Sequence, residues 1–166
     1  MNEPQTKRRL TSRDLLRFQM ADDPQISPDG RQVLWVRTWM DAEENRYRAQ
    51  IQLTEIETGA TRALTAGEGQ DTFPRWSPDG RSIAYLTSAA PRSPAGDLAQ
   101  RGITPPRAED VANGGAQLAV MAADGSGSRQ LTRLAGGVRN PEWSPDGAHI
   151  AFNTFVEPQT GLETLG

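Results

Sequence analysis

Pro24-Gln-Ile-Ser-Pro-Asp-Gly30, Pro74-Arg-Trp-Ser-Pro-Asp-Gly80 and Pro141-Glu-Trp-Ser-Pro-Asp-Gly147 are one seven-residue phrase written three times. From Pro24 to Pro74 is 50 residues and from Pro74 to Pro141 is 67. A second phrase recurs beside it. Ile51-Gln-Leu-Thr-Glu-Ile-Glu-Thr-Gly-Ala-Thr-Arg-Ala-Leu-Thr65 aligns without a gap on Leu118-Ala-Val-Met-Ala-Ala-Asp-Gly-Ser-Gly-Ser-Arg-Gln-Leu-Thr132, 67 residues later. The second unit is therefore longer than the first by one insertion in one loop, between Thr87 and Leu118. Self-similarity at this period means an array of one small module rather than a single core.

Ser-Pro-Asp-Gly reads as a hairpin turn. Pro pre-sets its own φ, Asp bonds nearby amides, and Gly accepts a positive φ. A three-residue loop closed by a left-handed Gly is the expected form. Apolar runs follow each turn: Val33-Leu-Trp-Val36, Ile83-Ala-Tyr-Leu86 and Ile150-Ala-Phe152. Such short, nearly continuous apolar runs predict strands buried on both faces. The segments carrying Ile26, Trp76 and Trp143 are their partner strands. Third strands are expected near residues 51–56 and 118–122, and Gly-containing turns (Thr58-Gly59; Asp124-Gly125-Ser126-Gly127) lead to fourth strands. Four antiparallel strands in roughly 40–50 residues is the pattern of a β-propeller blade.

The fold expected is all-β: a partial β-propeller of about two and a half four-stranded antiparallel blades, preceded by one short helix. Blade 1 covers residues 23–65. Blade 2 covers 72–132, with a long loop at 88–117. Residues 140–155 supply the first half of blade 3, and 156–166 form a polar tail. Rings of this kind close with about 4–8 blades. The reading is thus a piece of a larger array, from a truncated product or a partial reading frame; the alternative is a small protein that closes its ring by oligomerising. Unpaired strand edges offer a route to self-association. Upstream, Leu10-Thr-Ser-Arg-Asp-Leu-Leu-Arg-Phe18 predicts a helix over 10–22, with Thr11 or Ser12 as cap and Leu15, Leu16 and Phe18 as its apolar side. Residues 1–9 are expected to be a disordered tail, with Lys7-Arg8-Arg9 a solvated charge run rather than a nucleic-acid arm.

A net charge of −3 and a pI near 5.2 argue against nucleic acid or an anionic membrane as partner. The chain has no cysteine, hence no disulfide framework and no thiol chemistry. No long apolar segment and no hydrophobic leader are seen, and a cytoplasmic location is expected.

Catalytic signals are weak. The single histidine, His149, aligns with Gln32 and Ser82 just after the turn and is expected to be an exposed strand residue; one His without Cys makes a zinc site improbable. Gly80-Arg-Ser82-Ile-Ala84 lacks the last glycine of a nucleophile elbow and lies inside a repeat turn. Asp124-Gly-Ser-Gly-Ser128 lacks the lysine and helix of a P-loop. Asp29, Asp79 and Asp146 recur because turns need them and are expected too far apart for a general-acid pair. Asp41, Glu43 and Glu44 read as a solvated acidic loop. The insertion, with Pro91, Pro94, Pro105 and Pro106 among Arg92, Arg101 and Arg107, reads as a flexible surface loop on the face opposite the Ser-Pro-Asp-Gly turns, with a gating or docking loop as alternative. No catalytic, cofactor-binding or metal residue is assigned, and no cofactor is expected.

The Trp-Ser-Pro-Asp-Gly phrase and its Leu-Thr partner resemble repeats of two groups: the periplasmic propellers of the Tol system, and the N-terminal propeller of prolyl oligopeptidase-family serine peptidases. The opening, Leu10-Thr-Ser-Arg-Asp-Leu-Leu-Arg-Phe18, then Asp23-Pro-Gln-Ile-Ser-Pro-Asp-Gly30, then Glu44-Asn-Arg-Tyr-Arg-Ala-Gln-Ile51, resembles the acylaminoacyl-peptidase branch of the second group. The resemblance covers about residues 10–155. It implies a lid over an α/β-hydrolase domain that admits short peptides to a Ser-Asp-His triad. In the family that triad lies downstream of the propeller, so none of it maps onto this chain, and the chain alone is expected to be inactive. Implied partners are peptides or a downstream hydrolase domain. The alternatives are a Tol-like interaction module and a gene remnant without function.

Overall fold

The Ser-Pro-Asp-Gly turn closes in the same way three times. In the first, the Gly30 amide donates to the Ser27 carbonyl (2.9 Å) and the Ser27 amide to the Gln32 carbonyl (2.8 Å). Ser27 Oγ donates to Asp29 Oδ1 (2.6 Å) and accepts from the Gln32 amide (2.9 Å), while Asp29 Oδ1 also accepts from the Arg31 amide (3.1 Å). Ser77–Asp79 and Ser144–Asp146 repeat this network, and Gly30, Gly80 and Gly147 take φ near +70°. The loop is one residue longer than expected, with residues 28–31 between the bonded pair Ser27 and Gln32. The reason is local: the Ser27 carbonyl is already held by Gly30, so the serine hydroxyl takes over the second cross-loop bond. These bonds hold the Asp29, Asp79 and Asp146 carboxyls below their ordinary 3.8, the serine hydroxyl contributing most.

The computed structural model describes residues 9, 11, 14, 16–88 and 115–156. Ten strands form three antiparallel sheets among them. The first sheet runs β1 (Gln19–Ile26), β2 (Gln32–Asp41), β3 (Arg46–Glu55), β4 (Thr61–Ala63), each strand beside the next. The second repeats that order with β5 (Asp71–Trp76), β6 (Ser82–Thr87), β7 (Gln117–Ala122) and β8 (Arg129–Gln130). The third holds β9 (Arg139–Trp143) and β10 (Ile150–Asn153). The Ser-Pro-Asp-Gly turns lie at one end of the sheets. The β2–β3 turn, the β4–β5 linker and both anchors of the β6–β7 insertion lie at the other. Residues 89–114 of the insertion expected at 88–117 are outside the described residues.

Side-chain alternation decides how the sheets stack. Ile83 and Tyr85 of β6 join Leu34, Ile51, Leu53, Ala119 and Met121 in one buried cluster between the first two sheets. Ala84 and Leu86 point the other way and join Leu118 and Val138 in a second cluster, with Trp143 and Ile150 packed on it. Burial on both faces, expected for all three apolar runs, holds only for β6. On β2, Leu34 and Val36 are buried and Val33 and Trp35 only partly so; on β10, Ala151, Phe152 and Asn153 are exposed. Among the described residues only the middle sheet has a neighbour on each side.

Polar contacts at homologous positions tie the sheets together. Trp76 Nε1 donates to the Gln25 carbonyl of the first sheet (3.2 Å), and Trp143 Nε1 to the Arg75 carbonyl of the second (3.0 Å). The tryptophan of each repeat thus bonds the main chain of the repeat before it. Ile26 holds the same place in the first repeat, has no such donor and is 67% exposed. Asp71 is buried at the start of β5, bonded to the Thr65 and Thr87 side chains; desolvation pushes its carboxyl above 3.8, with Glu68 adding repulsion. The third repeat has buried Val138 at that position.

The helix expected over 10–22 is replaced in part by strand. Gln19–Asp22 already belong to β1 and pair with Val36–Trp39 of the long strand β2. Ahead of them Asp14 is helical; its amide donates to the Thr11 carbonyl, the Thr11 amide to Asp14 Oδ2 (2.7 Å) and the Arg17 amide to the Asp14 carbonyl. Leu10, Ser12, Arg13 and Leu15 lie outside the described residues, as do residues 1–8 and 157–166 of the expected tails. For Gln19–Asp22 the ten-residue strand β2 offers an edge to pair with, and that pairing takes them out of the expected helix.

Two expectations follow. Truncating a core side chain such as Ile83→Ala costs about 2–5 kcal/mol, whereas losing one net hydrogen bond in Trp76→Phe costs about 1 kcal/mol; urea unfolding of the two variants should rank them in that order. Asp71→Asn keeps a hydrogen-bonding side chain but cannot ionise. A folded carboxyl raised above its unfolded value favours folding fully below about pH 3.8 and loses that benefit as pH rises through the folded value. The stability of Asp71→Asn relative to the parent chain should therefore increase between pH 4 and pH 7 in parallel unfolding curves.

Candidate functional site

The residue before each repeat proline is left-handed without being glycine: Asp23 at φ 50°, Phe73 at 53° and Asn140 at 49°. At each of these points the first strand of its sheet slips register against the second. The result is a β-bulge in the same place three times, which bends β1, β5 and β9 and re-aims their side chains. Asp and Asn tolerate this region of backbone space; Phe does so at a cost. The Arg75 guanidinium lies over the Phe73 ring, 5.4 Å from its centre, and recovers part of it.

Arg75 is the hub where the three first strands meet. Its Nη1 donates to both carboxylate oxygens of Asp23 on β1 (3.0 and 2.8 Å) and to the Pro74 carbonyl (2.9 Å). Its Nε lies 3.9 Å from Glu142 on β9. Its own carbonyl accepts from Trp143. The Arg75 side chain is 19% exposed, so the pair with Asp23 is partly desolvated and less screened than a surface pair. A groove of about 310 Å³ runs along this seam, with Ile26, Trp76 and Trp143 as its apolar lining and Arg75 and Glu142 as its charged one. Such a surface is able to hold a chain by polar and aromatic contacts. Ser77 also lines it, with its hydroxyl committed to Asp79 within the turn. Sequence reading missed Arg75; the signal available was the variable position between Pro and Trp, which carries Gln25, Arg75 and Glu142 in turn.

At the opposite end a second network clamps the β2–β3 turn. Arg48 donates to Asp41 (2.6 Å), Glu44 (2.9 Å) and the Gly67 and Glu68 carbonyls (3.2 and 2.8 Å). The acidic loop expected to be merely solvated is therefore half committed: Asp41 and Glu44 bind Arg48, while Glu43 contributes only its amide, donated to Asp41. The Arg48 guanidinium holds the Asp41 carboxyl below its ordinary range. Ser88, at the entry to the insertion, is fixed to Gln70 by its amide and its hydroxyl.

Most of the residues weighed for chemistry lie apart in space, but Asp29 and Asp79 line one groove of about 310 Å³ with Ser27, Pro28 and Gln32. His149 closes the third turn with its main chain, its amide donating to Ser144 Oγ, and is exposed. Ser82 fills the equivalent place in the second turn. Asp124 caps the β7–β8 turn by accepting from the Ser126 amide (2.8 Å), and its carbonyl receives Arg62 of β4 (3.0 Å). Asp29, Asp79 and Asp146 each serve their own turn. Among the described residues no three His, Asp or Glu side chains come together as metal ligands, and no helix is long and apolar enough to cross a membrane.

No protein-family model matches the chain. It is 33% identical over 144 residues to an uncharacterised peptidase, YuxL, of Bacillus subtilis, a match covering 87% of this chain and 19% of the relative. It is 27% identical over 132 residues to dipeptidyl-peptidase 5 of Porphyromonas endodontalis, covering 80% and 16%. The chain thus spans under a fifth of the length of these curated relatives. Among solved structures, the β-propeller domain of the trilobed protease from Pyrococcus furiosus, described as having an open velcro topology, superposes with a TM-score of 0.57 at 20% identity, over 82% of this chain and 34% of that one. The acylaminoacyl peptidase of Pyrococcus horikoshii gives 0.55 at 21% identity, over 81% and 17%. A putative TolB from Agrobacterium tumefaciens gives 0.52 at 26% identity, over 78% and 36%. The repeated sheets are those of a β-propeller, and the chain is similar in sequence to a segment of two peptidases.

Proposed function

We propose that the chain is the substrate-gating propeller of a prolyl oligopeptidase or acylaminoacyl-peptidase type enzyme, acting on peptides together with an α/β-hydrolase domain that supplies the Ser-Asp-His triad. The observation that carries this reading is the 33% identity to the Bacillus peptidase across nearly the whole array. The reading carries a division of labour. In this reading the described residues supply sheets, turns and a charged seam, and the hydrolase domain would supply nucleophile and base. Two and a half blades, with the third sheet contributing its first two strands, is the blade count proposed, and the cytoplasm its location. A Tol-like interaction module is the second reading, favoured by the 26% identity to the TolB structure, which is reached over a smaller share of this chain.

Purified chain should show no turnover of N-acyl-amino-acid esters or amides; turnover abolished by a serine-directed inhibitor would refute the division of labour. Grafting residues 10–155 in place of the matched segment of the Bacillus peptidase should preserve cleavage of short peptides and the exclusion of folded proteins. A graft that cleaves folded protein as fast as a propeller-deleted enzyme would remove the gating role.

A further inference from the structure

Four Asp-Gly pairs stand in the sequence: Asp29-Gly30, Asp79-Gly80, Asp124-Gly125 and Asp146-Gly147. Such a pair is chemically fragile. The main-chain nitrogen that follows an aspartate is able to attack its Cγ, and a glycine puts no side chain in the way. In that step the N–Cγ bond forms and a Cγ–O bond breaks. The amide proton leaves with the carboxyl hydroxyl as water, and the product is a five-membered succinimide. The ring then takes up solvent water. Opening at Cγ restores aspartate; opening at the α-carbonyl leaves the main chain running through Cγ, as isoaspartate. Nothing is oxidised or reduced.

The Ser-Pro-Asp-Gly turns hold both reacting groups. The amides of Gly30, Gly80 and Gly147 each donate to the carbonyl of their own turn's serine, 2.9 Å away. Each aspartate Oδ1 accepts twice: from the hydroxyl of Ser27, Ser77 or Ser144, and from the amide of Arg31, Arg81 or Ala148. The serine oxygen is itself fixed, accepting from the amide of Gln32, Ser82 or His149 at 2.9 Å. Ring closure needs the glycine amide hydrogen released and the face of the carboxyl turned onto the nitrogen, so these bonds oppose it. The serine hydroxyl also does most to hold the three carboxyls below their ordinary range, in the charged form that is the poorer electrophile.

We propose that Asp29, Asp79 and Asp146 are latent isoaspartate sites, each held inert by the serine hydroxyl of its own turn and released when that turn opens. Conversion adds a carbon to the main chain and takes the carboxyl away from the point where the serine hydroxyl and the second amide meet it. A converted turn cannot close again, so the modification marks copies of the chain that have spent time unfolded.

The test incubates the full chain at neutral pH, folded and in urea, and maps isoaspartate at each Asp-Gly pair by peptide mass spectrometry. The three turns should convert more slowly in the folded chain; equal rates in both states would overturn the proposal. Ser144 is the least buried of the three serines. Ser144→Ala should raise conversion at Asp146 about tenfold, the effect of one charge-assisted hydrogen bond, and leave Asp29, Asp79 and Asp124 as in the parent chain. Ser144→Thr keeps the hydroxyl and should return Asp146 to the parent rate. An unchanged rate at Asp146 in Ser144→Ala, or a rise at all four pairs alike, would overturn the assignment of the lock to the serine of each turn.

Discussion

A sheet with apolar residues on both faces cannot stand in water alone, and that constraint organises this chain. Ile83 and Tyr85 require the first sheet; Ala84 and Leu86 require the third. Burying one such side chain is worth about 1.5–3 kcal/mol, against about 1 kcal/mol for one Trp-to-carbonyl bond. Packing therefore supplies most of the adhesion between sheets. The tryptophan bonds fix the angle and register at which the sheets adhere. Burial falls off from the middle sheet outward, as β2 and β10 record directly.

The charged seam follows from the same stacking. Because β1, β5 and β9 lie side by side and each bulges before its proline, residues distant in sequence converge on Arg75. The bulge takes the side chains out of strict alternation, which is what lets Asp23 reach Arg75 across the gap between sheets. The kinship with peptidases and this seam belong together in one picture: a repeated scaffold that is conservative in its turns and variable at the position after its prolines.

Much of this was legible in the sequence, since each turn carries its own chemistry. Ser, Pro, Asp and Gly at fixed offsets specify the turn without reference to the rest of the protein, and the strands on either side follow. The unread features depend on partners far along the chain. The longer loop is the local exception: the serine hydroxyl serves because a main-chain acceptor is already occupied. Gln19–Asp22 leave the expected helix because β2 is ten residues long and offers them an edge. The left-handed Phe73 violates local preference and is held by the pairing on both sides of it. Arg75 was invisible because nothing in a one-dimensional pattern says that Asp23 and Glu142 flank it.

Near-identical modules carry a hazard: a chain built from them is able to assemble in the wrong order. Asp71 counters it. The second module brings a carboxyl to its junction, where the Thr65 and Thr87 hydroxyls receive it; the third brings Val138, and the hydroxyl of Thr132, the counterpart of Thr65, donates to Gln117 instead. Setting the third module in the second's place would leave the Thr65 hydroxyl facing a hydrocarbon, and the reverse exchange would bury the acid beside a threonine already engaged. One ionisable side chain thus biases otherwise interchangeable parts toward one sequence of assembly.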